Sequence, residues 1–361
     1  SLVSTPSFDP NIFNRGLSRS EWKELASNPR TPLNNKAIAG QYAPGSTFKM
    51  VVALAALEKG IVTPKTRHFC SGEIELGDST FHCWKKRGHG SMDLVSAITQ
   101  SCDVYFYEIA KRTGIDRISA MARRLGLGQI LDIELSGERK GLMPTRAWKK
   151  KVKRVSWQQG ETLLAGIGQG FILTTPLQLA VMTSRLVNGG KAVKPHLTRH
   201  VVPFDAVEPP LPVYPEFASI GIHPPHLDLV KKAMAAVPNS PYGTAYRSRI
   251  KEAGFKFGGK TGTVQVRRIS KAEREVGVKK NKDLEWRERD PALFVGYAPV
   301  QAPRYAVSVV VEHGGGGSST AAPIAKDILL EVQRRDPSRG QSAGRSQDQA
   351  KKPSSKSAKK G

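Results

Sequence analysis

The stretch Pro44-Gly45-Ser46-Thr47-Phe48-Lys49 lies where an unusually apolar segment of the chain begins. Gly45 frees the backbone for a tight turn, and the residues from Ser46 to Lys59 contain neither Pro nor Gly before Gly60. Apolar residues occupy almost every face of a helix drawn over this segment. Such a helix is usually buried, so we expect it to run through the middle of a domain.

Ser46 and Lys49 give the start of this helix a possible chemistry. Residues three apart share one face of a helix, so the Lys49 amine could reach the Ser46 hydroxyl and act as its base. Free backbone amides at a helix start also favour a developing oxyanion. The pattern fits equally a buried helix with an incidental serine and a lysine that extends to solvent. Two motifs further along the chain favour the catalytic interpretation.

The second motif is Ser101-Cys102-Asp103, which lies between apolar-periodic residues 92–98 and 104–110. A connection between two helices could hold Ser101 in a cleft, where its hydroxyl could pass protons between a nucleophile and a leaving group. Ser and Asp also favour helix starts, so an ordinary capping motif is the alternative.

The third motif, Lys260-Thr261-Gly262-Thr263, falls in a strand predicted over residues 255–266. Strand alternation sends Lys260 and Gly262 to one face and the two threonines to the other. A twisted edge strand with glycines beside it would let a substrate lie against its backbone. The cation and the two hydroxyls suit a substrate carboxylate, although a plain edge strand with a solvated lysine is also consistent.

In this order, the three motifs resemble those of the penicillin-recognising serine acyltransferases. The surrounding sequence is similar to the transpeptidase domain of the penicillin-binding protein 2 family, class B enzymes of rod elongation, over about residues 1–335. The matching stretches are residues 2–10, 166–170, 174–178, 242–245, 294–299 and 312–318. Asp103 stands where much of the superfamily has Asn. It offers only acceptors, so we do not expect it to donate directly to a substrate.

The resemblance implies a peptidoglycan D,D-transpeptidase that needs no cofactor for catalysis. Ser46 would attack the penultimate D-Ala carbonyl of a pentapeptide stem, D-Ala would leave, and an amine of a neighbouring stem would resolve the ester. Lys49 would be the base and Ser101 would relay the proton, while the backbone amides of Ser46 and Thr263 would form an oxyanion hole. β-Lactam antibiotics would acylate Ser46 and stay bound. The residues implied for catalysis are Ser46, Lys49, Ser101, Asp103 and Lys260, and those for substrate binding are Thr261, Gly262 and Thr263.

The resemblance also implies a cellular setting, the periplasmic face of the bacterial inner membrane. Such enzymes usually work beside a lipid-linked glycan polymerase and elongation scaffold proteins. The chain contains no run of 18 apolar residues and no signal peptide, and it opens in Ser1-Leu2-Val3 as if inside a strand. We therefore expect a fragment of a membrane-anchored protein, without its anchor and its non-catalytic pedestal domain.

The charge of the chain is consistent with an envelope protein. Lys and Arg number 56 against 31 Asp and Glu, a formal net charge of +25. That excess would attract nucleic acid, anionic lipid heads or an acidic wall polymer. No nucleic-acid-binding motif is present, so we expect no nucleic-acid partner. Charges spread over a solvated surface explain the composition equally well.

The predicted fold is α+β, of the serine β-lactamase and transpeptidase type. It has an antiparallel sheet with helices packed on both sides and a helical subdomain. We predict strands over residues 255–266, 292–298 and 305–312, and helices that include residues 176–189, 227–237 and 324–332. Residues 68–90 are predicted to be irregular, residues 203–225 Pro-rich loops, and residues 267–290 a mobile charged loop near the cleft mouth. The transpeptidase domain would span residues 1–335, and residues 336–361 would be a disordered basic tail.

The cysteines form a second cluster of interest. Cys70, Cys83 and Cys102 lie in one span with His89, and three thiols with one imidazole are the ligand set of a closed tetrahedral zinc site. Such a structural zinc would pin this segment against the loop that carries Ser101. The alternatives are a Cys70–Cys83 disulfide with a free Cys102, or His82 as the imidazole ligand.

Two other functions share these motifs. A D-Ala-D-Ala carboxypeptidase or a β-lactamase needs a base that activates water, and Glu161 is the nearest candidate for one. A penicillin sensor or binding domain would keep the Ser46 and Lys49 pair without catalytic turnover.

Overall fold

The structure is a computed structural model that describes residues 1–198, 216–267, 269, 273 and 276–337. Helices precede and separate the strands, as the predicted α+β class requires. The helices are α1 (Asn11–Asn14), α2 (Arg19–Ser27), α3 (Lys36–Ala39), α4 (Lys49–Glu58), α5 (Leu94–Thr99), α6 (Asp103–Thr113), α7 (Ile115–Arg124), α8 (Arg146–Lys153), α9 (Gln159–Gly166), α10 (Pro176–Val187), α11 (Pro224–Asn239) and α12 (Ala322–Arg334). The strands are β1 (His68–Cys70), β2 (Glu73–Leu76), β3 (Ser79–His82), β4 (Gly90–Met92), β5 (Gly258–Thr263), β6 (Ala292–Ala298) and β7 (Tyr305–Val311).

Strands β5, β6 and β7 form an antiparallel sheet in that order. In the register of the sheet, Lys260 lies opposite Val295, and Gly296 lies opposite Val307. The strand predicted over residues 292–298 is confirmed in full, and β7 ends one residue before its predicted limit. Strand β5 is shorter than the predicted segment of residues 255–266, so only the stretch around the Lys260 motif joins the ladder.

Helices cover both faces of this sheet, as predicted. All seven residues of β6 are buried, and successive strand residues point to opposite faces, so neither face is open to water. On one side, a Cβ placed on Gly296 would lie 3.1 Å from Leu329 Cδ1 of α12. On the other side, the adjacent Tyr297 hydroxyl donates to the Lys231 carbonyl of α11 at 3.1 Å.

Helix α4 is the buried centre of the domain. Every residue of α4 except Glu58 is buried, and the helix packs against α6, α7 and α11. This confirms the expectation drawn from its apolar sequence. A 3-10 turn, Gly45–Phe48, precedes the helix, so Ser46 lies on a tighter turn before α-helical hydrogen bonding begins at Lys49.

The expectation of an irregular segment over residues 68–90 is wrong. β1 pairs with β4 and β2 pairs with β3, both antiparallel. Each of these strands has only three or four residues, which is too short for an alternating apolar pattern to show in the sequence. The Tyr107 hydroxyl of α6 donates to the His82 carbonyl at 3.1 Å and holds the β2–β3 hairpin against the helical part of the molecule.

Three predicted loop or tail segments extend beyond the described residues. Residues 203–215 of the Pro-rich segment, residues 268, 270–272 and 274–275 of the charged loop, and residues 338–361 of the basic tail lie outside them. The described part of the charged loop contains two 3-10 turns, Asn281–Asp283 and Trp286–Glu288. Among the described helices, none has the length and apolar character that a membrane crossing requires.

Candidate active site

Ser46 lies half-buried on a turn that fits closely against the end of β5. Gly45 has a φ of +54°, and a Cβ at this position would lie 2.8 Å from the Thr263 carbonyl oxygen. Both observations require glycine here. The Gly45 amide donates to the Gly168 carbonyl at 2.9 Å, so the loop after α9 supports the turn from the other side. The serine is therefore held at a fixed point beside the strand.

The Lys49 side chain is fully buried and its amine is engaged by the second motif. Lys49 Nζ donates to Asp103 Oδ1 at 2.7 Å, to the Ser101 carbonyl at 2.9 Å and to Ser101 Oγ at 3.2 Å. Among the hydrogen bonds of the described residues, none joins Lys49 Nζ to Ser46 Oγ. The sequence predicted that direct contact, but the Asp103 carboxylate attracts the ammonium more strongly than a neutral hydroxyl does.

Ser101 lies in the connection between α5 and α6, as predicted. It adopts a φ of +56°, a left-handed conformation that is uncommon for a residue with a side chain. Its hydroxyl lies 2.8 Å from Lys260 Nζ and 3.2 Å from Lys49 Nζ. One oxygen thus joins the amines of two motifs that are more than 200 residues apart in the sequence.

Lys260 is also fully buried, on strand β5, which packs against the turn that carries Ser46. Its amine donates to Ser101 Oγ and, at 3.1 Å, to the Thr261 carbonyl. Burial, and after it the nearby Lys49 ammonium, hold the pKa of Lys260 well below its usual value, although the Asp103 charge opposes the shift. The alternative of a solvated lysine on a plain edge strand is excluded by this burial.

The remaining residues of the Lys260 motif differ in exposure, because Thr261 and Gly262 are buried and Thr263 lies at the surface. Thr263 is exposed, and its hydroxyl accepts from the Gly317 amide at 3.2 Å. A Cβ on Gly262 would lie 3.0 Å from Thr47 Cγ2, next to the Ser46 turn. The strand and the turn are therefore packed together closely enough for both to contact one small ligand.

Thr244 belongs to the site, although the sequence did not assign it a role. Its hydroxyl lies 2.8 Å from the Thr261 hydroxyl, and its amide donates to the Thr99 carbonyl of α5 at 3.2 Å. The short motif Tyr242-Gly243-Thr244-Ala245 was a visible signal, because it is one of the stretches that carry the resemblance. Its position after α11 explains why no local pattern connected it to the strand.

Trp84 is a second residue of the site that the sequence did not assign. Its amide donates to Asp103 Oδ2 at 2.9 Å, and its indole donates to the Ser101 carbonyl at 3.1 Å. Both Asp103 oxygens are therefore occupied within the protein, one by Trp84 and one by Lys49. These two contacts fix the position of the Asp103 carboxylate beside Lys49.

The cysteines and His89 converge beside this motif. The ligand atoms of Cys70, Cys83, His89 and Cys102 all lie within 4.8 Å of one another, and the three thiols are buried and not disulfide-bonded. His89 Nδ1 lies 3.6 Å from Cys70 Sγ and 3.5 Å from Cys83 Sγ. A tetrahedral site with Zn–S bonds of about 2.3 Å separates its ligands by roughly 3.5–4 Å, so these residues fit a zinc ion.

The alternatives for this cluster fit less well. The rival imidazole, His82, instead pairs with Glu73 through its Nδ1 at 2.8 Å. The hydrogen bond from Cys102 lowers the pKa of Cys83, whereas burial raises the pKa of Cys70 and the hydrogen bond with Cys83 raises the pKa of Cys102. A Cys70–Cys83 disulfide would leave Cys102 and His89 facing it without a function.

Glu161, the candidate base for water activation, is occupied elsewhere. Its carboxylate pairs with the buried Lys149 amine and accepts from the Gln158 amide at 2.7 Å at the start of α9. Trp157 and Phe171 pack around the same lysine. The geometry gives Glu161 a structural role and does not connect it to Ser46.

Comparisons with known proteins agree with this geometry. Residues 1–330 match the family model described as the penicillin binding protein transpeptidase domain. The chain is 39% identical to peptidoglycan D,D-transpeptidase MrdA of Haemophilus influenzae over 91% of this chain and 50% of that protein. It therefore spans about half the length of such curated relatives.

Two solved structures are also similar. One is Pseudomonas aeruginosa PBP2 in complex with WCK 5153, at 39% identity and a TM-score of 0.78, over 92% of this chain and 69% of that one. The other is the complex of PBP2 and MreC from Helicobacter pylori, at 31% identity and a TM-score of 0.79, over 92% and 57%. The predicted α+β transpeptidase fold is confirmed by these neighbours. The chain belongs to the penicillin-binding protein transpeptidase domain family and, within it, resembles the penicillin-binding protein 2 enzymes.

Proposed function

We propose that this chain carries the catalytic site of a peptidoglycan D,D-transpeptidase that acts through an ester on Ser46. The observation that supports this most directly is the position of Ser101 Oγ, within hydrogen-bond distance of both Lys49 Nζ and Lys260 Nζ beside the Ser46 turn. Two buried amines that share a relay hydroxyl, with Ser46 three residues before one of them on the adjoining turn, supply the groups that serine acyl transfer needs.

In the proposed first step Lys49 acts as the neutral amine, after loss of one proton to solvent. Ser46 Oγ attacks the penultimate D-Ala carbonyl, and the serine proton passes to Lys49 Nζ. The Ser101 hydroxyl then carries a proton from the lysine network to the leaving nitrogen of D-Ala, and the C–N bond breaks. In the second step an amine of a neighbouring stem attacks the ester, the bond between the carbonyl carbon and Ser46 Oγ breaks, and the proton of the amine returns along the same path to Ser46 Oγ. Asp103 holds Lys49 in place for both steps.

Binding of the substrate would use charge and backbone donors. Lys260 and the hydroxyls of Thr261 and Thr263 suit the terminal carboxylate, and Thr244 orients the Thr261 hydroxyl. Because Gly45 lies against the Thr263 carbonyl, the amides of Ser46 and Thr263 belong to the same edge of the cleft. They would stabilise the oxyanion, at about 3 kcal/mol for each donor in comparable sites.

β-Lactams would enter the same site as mimics of the substrate. Their carboxylate would take the place beside Lys260, and Ser46 would open the lactam ring. The resulting ester would persist, because Glu161 is engaged by Lys149 and is not free to activate water. This pairing is our reason for preferring a transpeptidase to a β-lactamase or a carboxypeptidase.

We propose that Cys70, Cys83, His89 and Cys102 hold a structural zinc ion. The ion would fix two segments, one that ends in Trp84 and one that carries Ser101 and Asp103, without taking part in the chemistry. Removal of the zinc ion would loosen the segment that carries Ser101 and Asp103, although the ion itself does not contact the substrate.

The cellular setting is proposed by similarity. The similar protein from Helicobacter pylori is named in complex with MreC, so an elongation scaffold protein of that kind is a reasonable partner, and a lipid-linked glycan polymerase is another. Peptidoglycan stems are cross-linked on the periplasmic side of the bacterial inner membrane, and we place this domain there as part of a longer, membrane-anchored protein.

Mass spectrometry tests the acyl-enzyme directly. We expect benzylpenicillin to add its full mass to the intact wild-type protein and nothing to a Ser46→Ala protein, with an adduct that persists for many minutes. Rapid loss of the adduct would favour the hydrolase. Incubation with a pentapeptide stem and an acceptor amine should then release D-Ala and form a cross-linked product. A sensor would give the stable adduct without any D-Ala release.

A further inference from the structure

A cavity of about 510 Å³ lies at the opposite end of α6 from the catalytic motif. The C-terminal end of α6, helix α8 and the start of α9 form its walls. None of the nine described residues that line it is acidic, and three of them are cations: Lys111, Arg146 and Lys150. The cavity therefore has a strongly positive wall that the proposed transpeptidase chemistry does not use.

Two carboxylates beside this cavity, those of Asp116 and Glu161, neutralise it only in part. Glu161 pairs with Lys149, which does not line the cavity. Asp116 lies beside Arg146, at 3.7 Å between Oδ2 and Nε, with both side chains largely exposed. Within the part of the chain that the structure describes, Lys111 and Lys150 have no carboxylate within 4 Å. At least two positive charges are thus available to a ligand.

One wall of the cavity is a fixed aromatic ring. The Trp157 indole donates to Thr162 Oγ1 at 2.8 Å, and its ring centroid lies 6.2 Å from that of Phe171. These contacts hold the half-buried ring in one orientation. Ser156 and Gln159 add polar groups to the same wall. A rigid indole beside hydroxyl and amide groups suits the mixed apolar and polar faces of a sugar ring.

We propose that this cavity binds an anion-bearing sugar, whose carboxylate or phosphate pairs with Lys111, Arg146 and Lys150 and whose ring lies on Trp157. From Asp103 to Lys111, α6 rises roughly 12 Å, so the cavity is a separate site within reach of a glycopeptide. The choice of wall glycopeptide as the source rests on the proposed function. A sugar phosphate of a lipid-linked precursor offers the same chemistry.

Binding to protein whose cleft is blocked tests the proposal. The protein is first acylated with benzylpenicillin, and the adduct is verified by mass. Titration calorimetry then follows a disaccharide tetrapeptide with free carboxylates, N-acetylglucosamine 1-phosphate, and neutral chitobiose. The pocket variant is Lys111→Gln/Arg146→Gln/Lys150→Gln. Its matched control is Arg112→Gln/Lys151→Gln/Lys153→Gln, which removes the same charge from α6 and α8 without touching the lining residues.

We expect at least one anionic probe to saturate, the pocket variant to bind it at least tenfold more weakly, and the control to stay within twofold of wild type. The probe that binds identifies the source of the anion. Three results would overturn the proposal: no saturation by either anionic probe, equal weakening in both variants, or equal binding of chitobiose. If no penicillin adduct forms, the proposed function fails, while the same titrations on unacylated protein still test the cavity.

Discussion

The backbone amide of Trp84 donates a hydrogen bond to Asp103 Oδ2 at 2.9 Å. Cys83 precedes Trp84 in the chain and Cys102 precedes Asp103, so this bond joins the two segments that the cysteine cluster also brings together. The Asp103 amide donates to Cys83 Sγ at 3.4 Å and completes the connection. Because Asp103 also holds Lys49, a disturbance of the cluster should reach the catalytic amine.

The first prediction concerns this cluster of three cysteines and His89. Elemental analysis of the purified protein should find one zinc per chain, and chelation should lower the melting temperature by roughly 5–10 °C, since a structural ion contributes several kcal/mol. Penicillin acylation should slow at the same time. A Cys70→Ser protein should behave like the chelated wild type. Protein with no zinc and two fewer free thiols would instead support the disulfide.

The second prediction concerns the charge of Lys260. Its pKa is lowered by burial and by Lys49, so the cation that pairs with a substrate carboxylate is lost at a pH below the ordinary lysine value of 10.5. The rate constant for acylation by benzylpenicillin should therefore fall as the pH rises through that lowered pKa. The methyl ester of the same penicillin has no carboxylate and should lack this falling limb. If the rate constant falls with pH in the same way for both compounds, Lys260 does not bind the carboxylate.

The third prediction concerns Thr244. Replacement by Val keeps the shape but removes the hydroxyl that lies 2.8 Å from Thr261. We expect acylation to slow about tenfold, because one buried hydrogen bond is worth roughly 1 kcal/mol or somewhat more. Thr244→Ser keeps the hydroxyl and should retain most of the rate. Equal rates for Val and Ser would mean that Thr244 only fills space.

The fourth prediction separates close packing from backbone strain at the nucleophile turn. Gly45→Ala places a Cβ 2.8 Å from the Thr263 carbonyl, whereas Gly60→Ala, at a φ of +64°, meets nothing within 4 Å. Backbone strain should cost each protein about 1–2 kcal/mol of unfolding free energy, since both glycines are left-handed, and the clash should add to this cost in Gly45→Ala only. Only Gly45→Ala should also reduce acylation severely. Denaturant unfolding and acylation rates measured on both proteins make the comparison.

The sequence predicted elements that have strong periodicity or composition. Helix α4 follows from its nearly continuous apolar side chains, and β6 and β7 follow from apolar runs joined by a Pro-containing turn. The candidate catalytic residues were predicted because three short motifs occur in one order. The cysteine and His89 cluster was predicted from ligand chemistry alone, and the structure brings its members together.

The remaining features depend on contacts between distant residues. Trp84 and Asp103 are 19 residues apart, and Thr244 and Thr261 are 17 apart, so no helical or strand period links them. The four short strands around the cysteines have too few residues to show alternation. The Lys49 amine was assigned to Ser46 by helical spacing, which does not include the competing carboxylate that α6 supplies.

Two lysine side chains, Lys49 and Lys260, are completely buried and share the Ser101 hydroxyl, and of these two only Lys49 has a carboxylate partner, Asp103, among the described residues. Such an arrangement opposes folding, because a buried cation without its own anion loses hydration that nothing in the protein fully replaces. The domain is therefore less stable than it would be without these buried lysines, which it keeps for the binding of anionic substrates. Lys260→Met should yield an inactive protein that melts at a higher temperature than the wild type. The need for activity therefore limits the thermal stability that this fold can reach.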